Sequence, residues 1–136
     1  MSTNVLKFGG TSLCSAEEMI NAASIATSDG DACAVVVSAP GKRTADDEKV
    51  TDLLYRACLP EADRDRLIGQ LRERFDSILR GVGGNVDLSD EYEKIRLAAE
   101  RGDVPYVVSR GEYFKFVIGT HLLGILCHAN VALIDE

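Results

Sequence analysis

Hydrophobic and polar positions at the start of the chain follow a strand pattern, then a helix pattern, then a second strand pattern. The apolar pair Val5-Leu6 precedes two glycines, and residues 15–27 carry apolar side chains at helical spacing. Residues 32–37 form a continuous apolar run rich in β-branched side chains, which is typical of a strand covered on both faces. This order predicts a βαβ unit and therefore a parallel sheet.

Residues that favour helix ends support this assignment. Ser15 and Glu18 have the spacing of a capping box, so a helix is expected to begin there. The polar, glycine-containing stretch 28–31 is expected to end that helix.

The middle of the chain reads as helices. Residues 50–55 begin one helix, residues 63–80 have a strongly amphipathic pattern, and residues 89–99 form a shorter helix. The polar face of the amphipathic helix, which includes Arg74, is predicted to be a solvated surface with local ion pairs. The glycine-rich residues 81–85 follow a helix and are predicted to be its cap.

The last third of the chain mixes strand and helix patterns. Residues 104–108, Val-Pro-Tyr-Val-Val, favour an edge strand by composition. Residues 116–126 carry apolar side chains at helical spacing, and residues 131–134 are predicted to be a third core strand. The whole pattern predicts an α/β protein.

Composition narrows the class of protein. With 136 residues and 46% hydrophobic content, the chain can bury one core, so one domain is expected. The net charge of −7 argues against a nucleic-acid partner. The sequence shows no leader pattern and no apolar run long enough to cross a bilayer, so we predict a cytoplasmic protein without a membrane partner.

Cysteine and histidine spacing does not favour a metal site. The cysteines include no C-x-x-C pair, which argues against a zinc site and a dithiol redox motif. Cys14 is expected to be a small buried side chain, with a reactive thiol as the alternative. His121 and His128 are one heptad apart, which does not suit joint ligation from one helical turn, so both are predicted to be structural. The four cysteines are Cys14, Cys33, Cys58 and Cys127.

The candidate chemistry lies in residues 7–12, Lys-Phe-Gly-Gly-Thr-Ser, where the first strand ends. The glycines allow positive φ and a close approach of backbone N–H groups to a ligand, and the following helix directs the positive end of its dipole at the same place. Lys7 adds a full charge, and Thr11 and Ser12 add hydroxyl donors, so the loop suits a phosphoryl group. A tight turn beside a surface lysine explains the same residues. The segment matches neither the Walker motif nor the dinucleotide-binding fingerprint.

A second loop, residues 38–43, follows the second strand. Open α/β sheets bind ligands at the carboxyl ends of their strands, so both loops are expected to face one crevice. Lys42 and Arg43 are interpreted most simply as a solvated turn, and Thr51 as a hydroxyl that satisfies a free N–H at a helix start.

Residues 7–12 resemble the opening signature of the aspartokinases, which belong to the amino acid kinase family, and the resemblance covers essentially the whole chain. Aspartokinases follow their second strand with Val-Val-x-Ser-Ala and then with Thr-[Asn/Asp]-Leu-Leu. Ser38 and Thr51 match these positions, and Thr44 is a nearby rival for the threonine.

A third element of the family, Ser-x-Gly-Glu, is matched by Ser109, Gly111 and Glu112. In aspartokinases this element is a loop that passes into a long helix, so the resemblance disagrees with the edge strand that composition favours. The family usually has a serine three residues after the glutamate, and this chain has Lys115 there.

The resemblance implies transfer of the γ-phosphoryl group of MgATP to the β-carboxylate of L-aspartate, the first step of lysine, threonine and methionine biosynthesis. Lys7 would neutralise the migrating group. Phe8, Gly9, Gly10 and Ser12 would complete the phosphate-binding segment, with backbone N–H groups at the glycines. Mg²⁺ would be held mainly through ATP, without a prosthetic group or a protein metal site.

The same resemblance implies that Ser38, Thr51 and Glu112 hold aspartate, with the glutamate reaching its ammonium group. Because a carboxylate is already nucleophilic, positioning and charge neutralisation would supply the rate.

The fold implied is a three-layer αβα sandwich with a mainly parallel sheet, of which residues 1–136 would be the amino-terminal half. The nucleotide-binding half and the ACT regulatory domains would lie outside the chain, and the full-length enzyme would be a homo-oligomer. The isolated chain is therefore expected to be inactive. The alternatives are another member of the amino acid kinase family and a non-catalytic fragment or interaction module.

Overall fold

The computed structural model describes residues 4–28 and 33–127. In these residues, two strands and a short 3₁₀ turn (Thr11–Leu13) accompany five α-helices. The predicted strand at 131–134 and His128 lie outside the described residues. The strands are β1 (Asn4–Phe8) and β2 (Cys33–Val37), and the helices are α1 (Ala16–Thr27), α2 (Val50–Ala57), α3 (Arg64–Gly81), α4 (Ser89–Glu100) and α5 (Val104–Cys127).

The predicted parallel pairing of the two strands is confirmed. β1 and β2 pair in register, with Lys7 opposite Val36 and Phe8 opposite Val37. Phe8 and Val37 pack against the helical core, whereas Val36 on the other face is 47% exposed. The prediction that the second strand is covered on both faces is wrong for the described part of the chain, because the helices pack against one face of the sheet.

The ends of α1 and α3 follow the predicted signals. The Ser15 hydroxyl accepts a hydrogen bond from the Glu18 N–H at 3.3 Å, as in a capping box. The Asp63 carboxylate accepts one from the Arg66 N–H at 3.2 Å at the start of α3. Beyond α3 the chain turns at Gly83, whose φ of +76° suits glycine.

Residues 104–108 lie in α5, so the edge strand favoured by composition is wrong and the long helix implied by the family is confirmed. Pro105 lies in the first turn, where a helix needs no N–H from that residue. The Asp103 carboxylate accepts a hydrogen bond from the Tyr106 N–H at 3.3 Å. Val107 is fully buried, so core packing outweighs the preference of valine for strands.

Three aromatic rings hold α5 against α3 and α4. Phe114 meets Phe75 edge to face with 4.8 Å between ring centroids, and meets Tyr92 in the same way at 5.3 Å. Such T-shaped pairs are favourable because the positive ring edge faces the negative ring face. The Tyr92 hydroxyl donates to the Asp76 carboxylate at 3.1 Å, and burial raises the pKa of this phenol. This packing fixes the position of α5 relative to α3 and α4.

Candidate functional site

The loops that follow β1 and β2 touch each other. The Gly41 N–H donates a hydrogen bond of 2.9 Å to the Gly10 carbonyl. A Cβ on Gly10 would lie 2.9 Å from the Ala39 carbonyl oxygen, and a Cβ on Gly41 would lie 2.8 Å from the Gly10 carbonyl carbon. Glycine is required at both positions because the two backbones approach too closely for a side chain. The two loops therefore lie together at the carboxyl ends of the strands.

Glycine at position 10 is not needed for its backbone angles. Gly10 has φ −58° and ψ −38°, a region open to any residue. Among the described glycines, positive φ occurs at Gly83 and Gly102. The prediction that Gly9 and Gly10 supply a positive φ is therefore wrong, and close approach is the physical reason for glycine at position 10.

The phosphate-loop candidate continues into a 3₁₀ turn before α1 begins. The Leu13 N–H donates to the Gly10 carbonyl at 3.2 Å, which closes this turn. Leu13 and Cys14 are buried, so the expectation that Cys14 fills space in the core is confirmed. Thr11 and Ser12 are exposed and available to a ligand.

Helices α2 and α5 bring two more candidate residues to the second loop. The Val50 N–H donates to the Pro40 carbonyl at 3.3 Å, which places Thr51 in the first turn of α2 beside this loop. A Cβ on Gly111 would lie 3.0 Å from the Ala39 Cβ, so α5 packs closely under the loop, with Glu112 next along the helix.

The segments that carry the predicted aspartate ligands therefore converge. Ser38 is half-buried, Thr51 is half-buried and Glu112 is exposed. Their side chains make no hydrogen bond or ion pair with other residues of the described ranges, which leaves their polar atoms free for a ligand. The roles of these three residues stay predictions.

Lys7 lies on the exposed face of the sheet, opposite Val36 in the strand register. Within residues 4–28 and 33–127 its ammonium group has no hydrogen bond or ion pair. Phe8 packs against the core from the other face, which leaves its backbone beside the glycine turn. The roles of Lys7 and Phe8 in phosphate binding also stay predictions.

The segment from Gly41 to Glu48, which continues the second loop toward α2, is closed by an ion pair. The Arg43 guanidinium donates to the Asp47 carboxylate at 2.8 and 3.0 Å, and the Arg43 N–H donates to it at 2.9 Å. The Arg43 hydrogen bond holds the pKa of Asp47 well below its usual range. Arg43 thus closes the loop while 49% of its side chain stays exposed, in agreement with the predicted solvated turn. Thr44, the rival of Thr51, lies exposed within this closed loop.

Arg74 of α3 is buried, although its position in the sequence predicts a solvated side chain. Its predicted solvated position is contradicted by an exposure of 3%. Nη1 donates to the Glu48 carbonyl at 2.6 Å and lies 3.3 Å from the Asp47 carboxylate, and Nη2 donates to the Gly41 carbonyl. Three acceptors on one loop offset part of the cost of the buried charge, while Nε has no hydrogen-bond partner among the described residues and burial lowers the pKa of Arg74.

A signal for this burial is present in the sequence. Arg74 lies three residues after Leu71 and four before Ile78, two residues that are buried in α3. Helical spacing therefore places Arg74 on the apolar stripe of the helix.

Lys115 is the second buried cation. It is fully buried in α5, and within the described residues its Nζ has no hydrogen-bond partner. Burial, and to a smaller extent the charge of Arg74, lowers the pKa of Lys115 to about 7. The sequence marks this position as a departure from the family serine but does not reveal its burial.

The described residues show neither a metal site nor a membrane-spanning helix. No group of three or more His, Cys, Asp or Glu side chains in residues 4–28 and 33–127 is arranged to hold a metal ion. In the same residues, no helix combines the length and apolar character that a membrane span needs. His121 lies next to Gly84, away from the strand-end loops.

Known proteins similar to this chain are aspartate kinases. No protein-family model matches the chain. Over 54 residues it is 58% identical to Aspartokinase 3 of Bacillus subtilis (strain 168), covering 40% of this chain and 12% of that protein. The solved aspartate kinase of Clostridium acetobutylicum superposes with a TM-score of 0.80 and 33% identity, over 88% of this chain and 28% of that one.

A second solved structure gives the same picture. E. coli aspartokinase III in complex with aspartate and ADP superposes with a TM-score of 0.74 and 26% identity, over 90% of this chain and 29% of that one. The chain thus spans 12% of the curated relative and less than a third of the solved structures. These likenesses confirm the predicted α/β fold class, as a part of the larger fold of those enzymes.

Proposed function

We propose that this chain, which belongs to the aspartokinases as their amino-terminal portion, supplies the aspartate-binding and phosphoryl-binding residues of an aspartate kinase. The complete enzyme transfers the γ-phosphoryl group of MgATP to the β-carboxylate of L-aspartate and releases ADP. The nucleotide-binding half and the ACT regulatory domains belong to the remainder of the longer protein, which acts in the cytoplasm as a homo-oligomer.

The observation that carries this proposal is the meeting of two strand-end loops with the start of α2 and with α5 at Gly111. The Gly41–Gly10 hydrogen bond joins the two loops, and Gly111 packs against Ala39 of the second loop. Solved relatives of this fold include an enzyme with bound aspartate and ADP. A ligand at this edge of the sheet is also where open α/β folds place theirs.

The proposed roles divide between the two loops. Lys7 neutralises the transferring phosphoryl group, and the backbone at Gly9 and Gly10, with Phe8 before them and Ser12 after them, binds its oxygens. Donors fixed in place before the reaction stabilise charge that develops in the transition state without a reorganisation cost.

Aspartate is held from the other side. Ser38 and Thr51 donate hydroxyl hydrogen bonds to its carboxylates, and Glu112 pairs with its ammonium group. This arrangement directs the β-carboxylate at the γ-phosphorus in line with the leaving ADP, and such positioning is the main source of rate in phosphoryl transfer. Mg²⁺ would be held mainly through ATP and would neutralise charge on the phosphates.

The test is aspartate-dependent ADP formation by the longer protein. Lys7→Ala is expected to lower kcat roughly 100-fold or more, because it removes a charge that faces the transferred group. Glu112→Gln and Thr51→Val are expected to raise the KM for aspartate with a smaller effect on the KM for ATP. Lys94→Ala, on the exposed face of α4, is the matched control and should behave as wild type.

Three results would contradict parts of this proposal. Wild-type turnover in Lys7→Ala would remove the assigned role of this lysine. An aspartate KM that changes in Thr44→Val but not in Thr51→Val would move the substrate threonine to position 44. Turnover by residues 1–136 alone would show that the remainder of the protein is not needed.

A further inference from the structure

We propose that Arg74 is a positioning residue for phosphoryl transfer: from within the core it holds the loop of residues 41–48 and, through that loop, the glycine turn at Gly9 and Gly10. This inference rests on the function proposed above. It assigns a role to a residue that the proposed function does not place against either substrate.

The first step is that Arg74 contacts the loop of residues 41–48 at several points. Its guanidinium reaches from α3 to both ends of this loop, with the Gly41 carbonyl at one end and the Glu48 carbonyl at the other. Between these ends, Nη1 lies 3.3 Å from the Asp47 carboxylate. One buried side chain therefore fixes the span of the loop.

The second step leads from this loop to the glycine turn. Gly41 accepts from Arg74 through its carbonyl and donates to the Gly10 carbonyl through its N–H at 2.9 Å. The Gly10 carbonyl also accepts from the Leu13 N–H at 3.2 Å, so it closes the turn that carries Thr11 and Ser12. Any movement of Gly41 is thus transmitted to the backbone that would cradle the phosphoryl oxygens.

The third step is that this contact is separable from loop closure. Arg43 closes the loop of residues 41–48 through three hydrogen bonds to Asp47, and these bonds do not involve Arg74. Loss of Arg74 therefore leaves a closed loop that is no longer anchored to α3, with two carbonyls deprived of a buried donor.

The contact also requires the shape of a guanidinium. A planar fork with several fixed donors can bond two carbonyls at once, whereas an ammonium on a flexible stem is a single point of charge. Lysine at position 74 is expected to recover part of the anchoring, and an apolar side chain of similar length is expected to recover none.

The experiment compares Arg74→Met and Arg74→Lys in the longer protein. One readout is kcat and KM for ATP and aspartate, and the other is hydrogen–deuterium exchange of peptides covering residues 9–14 and 41–48. Arg80→Met, on the exposed face of the same helix, controls for loss of an arginine. Ile78→Val, in the buried face of α3, controls for loss of stability without loss of a hydrogen bond to the loop.

We expect Arg74→Met to lower kcat/KM roughly 10- to 100-fold, since displacements near 1 Å in an active site cost about that much. Exchange should rise in both peptides, and Arg74→Lys should lie between Arg74→Met and wild type. Arg80→Met and Ile78→Val should keep wild-type kinetics and wild-type exchange in these peptides.

The outcomes separate this inference from the proposed function. Normal kinetics in Arg74→Met, or faster exchange in residues 41–48 without any change in residues 9–14, would overturn the role of Arg74 alone. Equal kinetic loss in Arg74→Met and Ile78→Val would reduce it to a stability effect and overturn it as well. Absence of aspartate-dependent turnover in the unmodified longer protein would overturn the proposed function and this role with it.

Discussion

Two glycine-rich turns of this chain, one after β1 and one after α3, use glycine for different physical reasons. In the first, Gly10 has an ordinary φ of −58°, and a Cβ there would lie 2.9 Å from the Ala39 carbonyl oxygen. In the second, Gly83 has a φ of +76°, and no atom lies within 4 Å of the position of a Cβ. The first turn is defined by a neighbouring backbone, and the second by its own torsion angles.

This difference teaches how to interpret glycine clusters in an α/β chain. A cap at a helix end needs glycine only to reverse the chain, and it can face open solvent. A turn that needs glycine for close approach has a second segment fixed beside it, and here that segment is the loop after β2. In this chain, the close approach of two backbones therefore indicates a candidate binding site better than glycine content does.

The largest expected effect concerns Gly10. Gly10→Ala should lower the free energy of unfolding by roughly 1–3 kcal/mol, because the new methyl group forces the two loops apart. In the longer protein, phosphoryl transfer should fall roughly 100-fold. Urea denaturation and aspartate-dependent ADP formation measure the two effects.

Gly9→Ala is the matched comparison for stability. No atom lies within 4 Å of a Cβ at Gly9, so its free energy of unfolding should stay close to that of wild type. Equal losses for Gly9→Ala and Gly10→Ala would contradict the distinction between the two positions.

The second effect concerns Lys115, which is buried in α5, the helix that packs against Ala39 of the second loop. Its folded-state pKa of about 7 lies below the ordinary value of 10.5, so between these pH values the unfolded chain binds one more proton. Stability should therefore rise with pH above about 7, with a slope approaching about 1.4 kcal/mol per pH unit. Below pH 7 both states are protonated and the full cost of the buried charge is present.

Urea denaturation between pH 6 and 9 checks this prediction, because Lys115 of the folded chain loses its proton within about this range. The groups that act on Lys115 are Arg74, which lowers its pKa, and Cys14, which raises it. Lys115→Met should be more stable than wild type at pH 7 and lack the slope. Lys94→Met, at an exposed lysine paired with Glu91, should retain it. A wild-type slope that survives in Lys115→Met would assign the titration to another group.

The smallest effect isolates torsion angles. Gly83→Ala should lower the free energy of unfolding by about 1 kcal/mol, because alanine disfavours positive φ. Gly69→Ala, in the middle of α3, should raise it by about 1 kcal/mol through helix propensity. Both new methyl groups enter open space, so the opposite signs report backbone conformation alone. Thermal unfolding of the two variants measures the difference, and equal shifts would contradict it.

Local signals predict most of the elements. Ser15 and the β-branched run of β2 identify the βαβ unit, because capping and strand preference are encoded by neighbouring residues. The burial of β2 on both faces, which the same run predicts, is not observed within the described residues. The start of α5 is missed by composition, since Pro105 and its valines fit a strand until core packing of Val107 decides the outcome. The resemblance of residues 109–112 to the aspartokinase element predicts this helix correctly.

The support of the candidate site is less accessible to sequence reasoning. Burial of Arg74 depends on the Gly41 and Glu48 carbonyls, which lie 33 and 26 residues away along the chain. Burial of Lys115 depends on the packing of α5 against several helices. Periodicity places both residues on their helices, but it carries no information about which distant acceptors or side chains surround them.

The open edges of the two-stranded sheet have one more consequence. A pair of strands is only marginally stable by itself, and within the described residues β1 and β2 each have one edge without a strand partner. Such edges offer rows of N–H and C=O groups as templates for additional strands, and Val5 and Val36 place apolar side chains beside them. For residues 1–136 alone, we therefore expect concentration-dependent association through strand addition, and we expect Val36→Lys to reduce it.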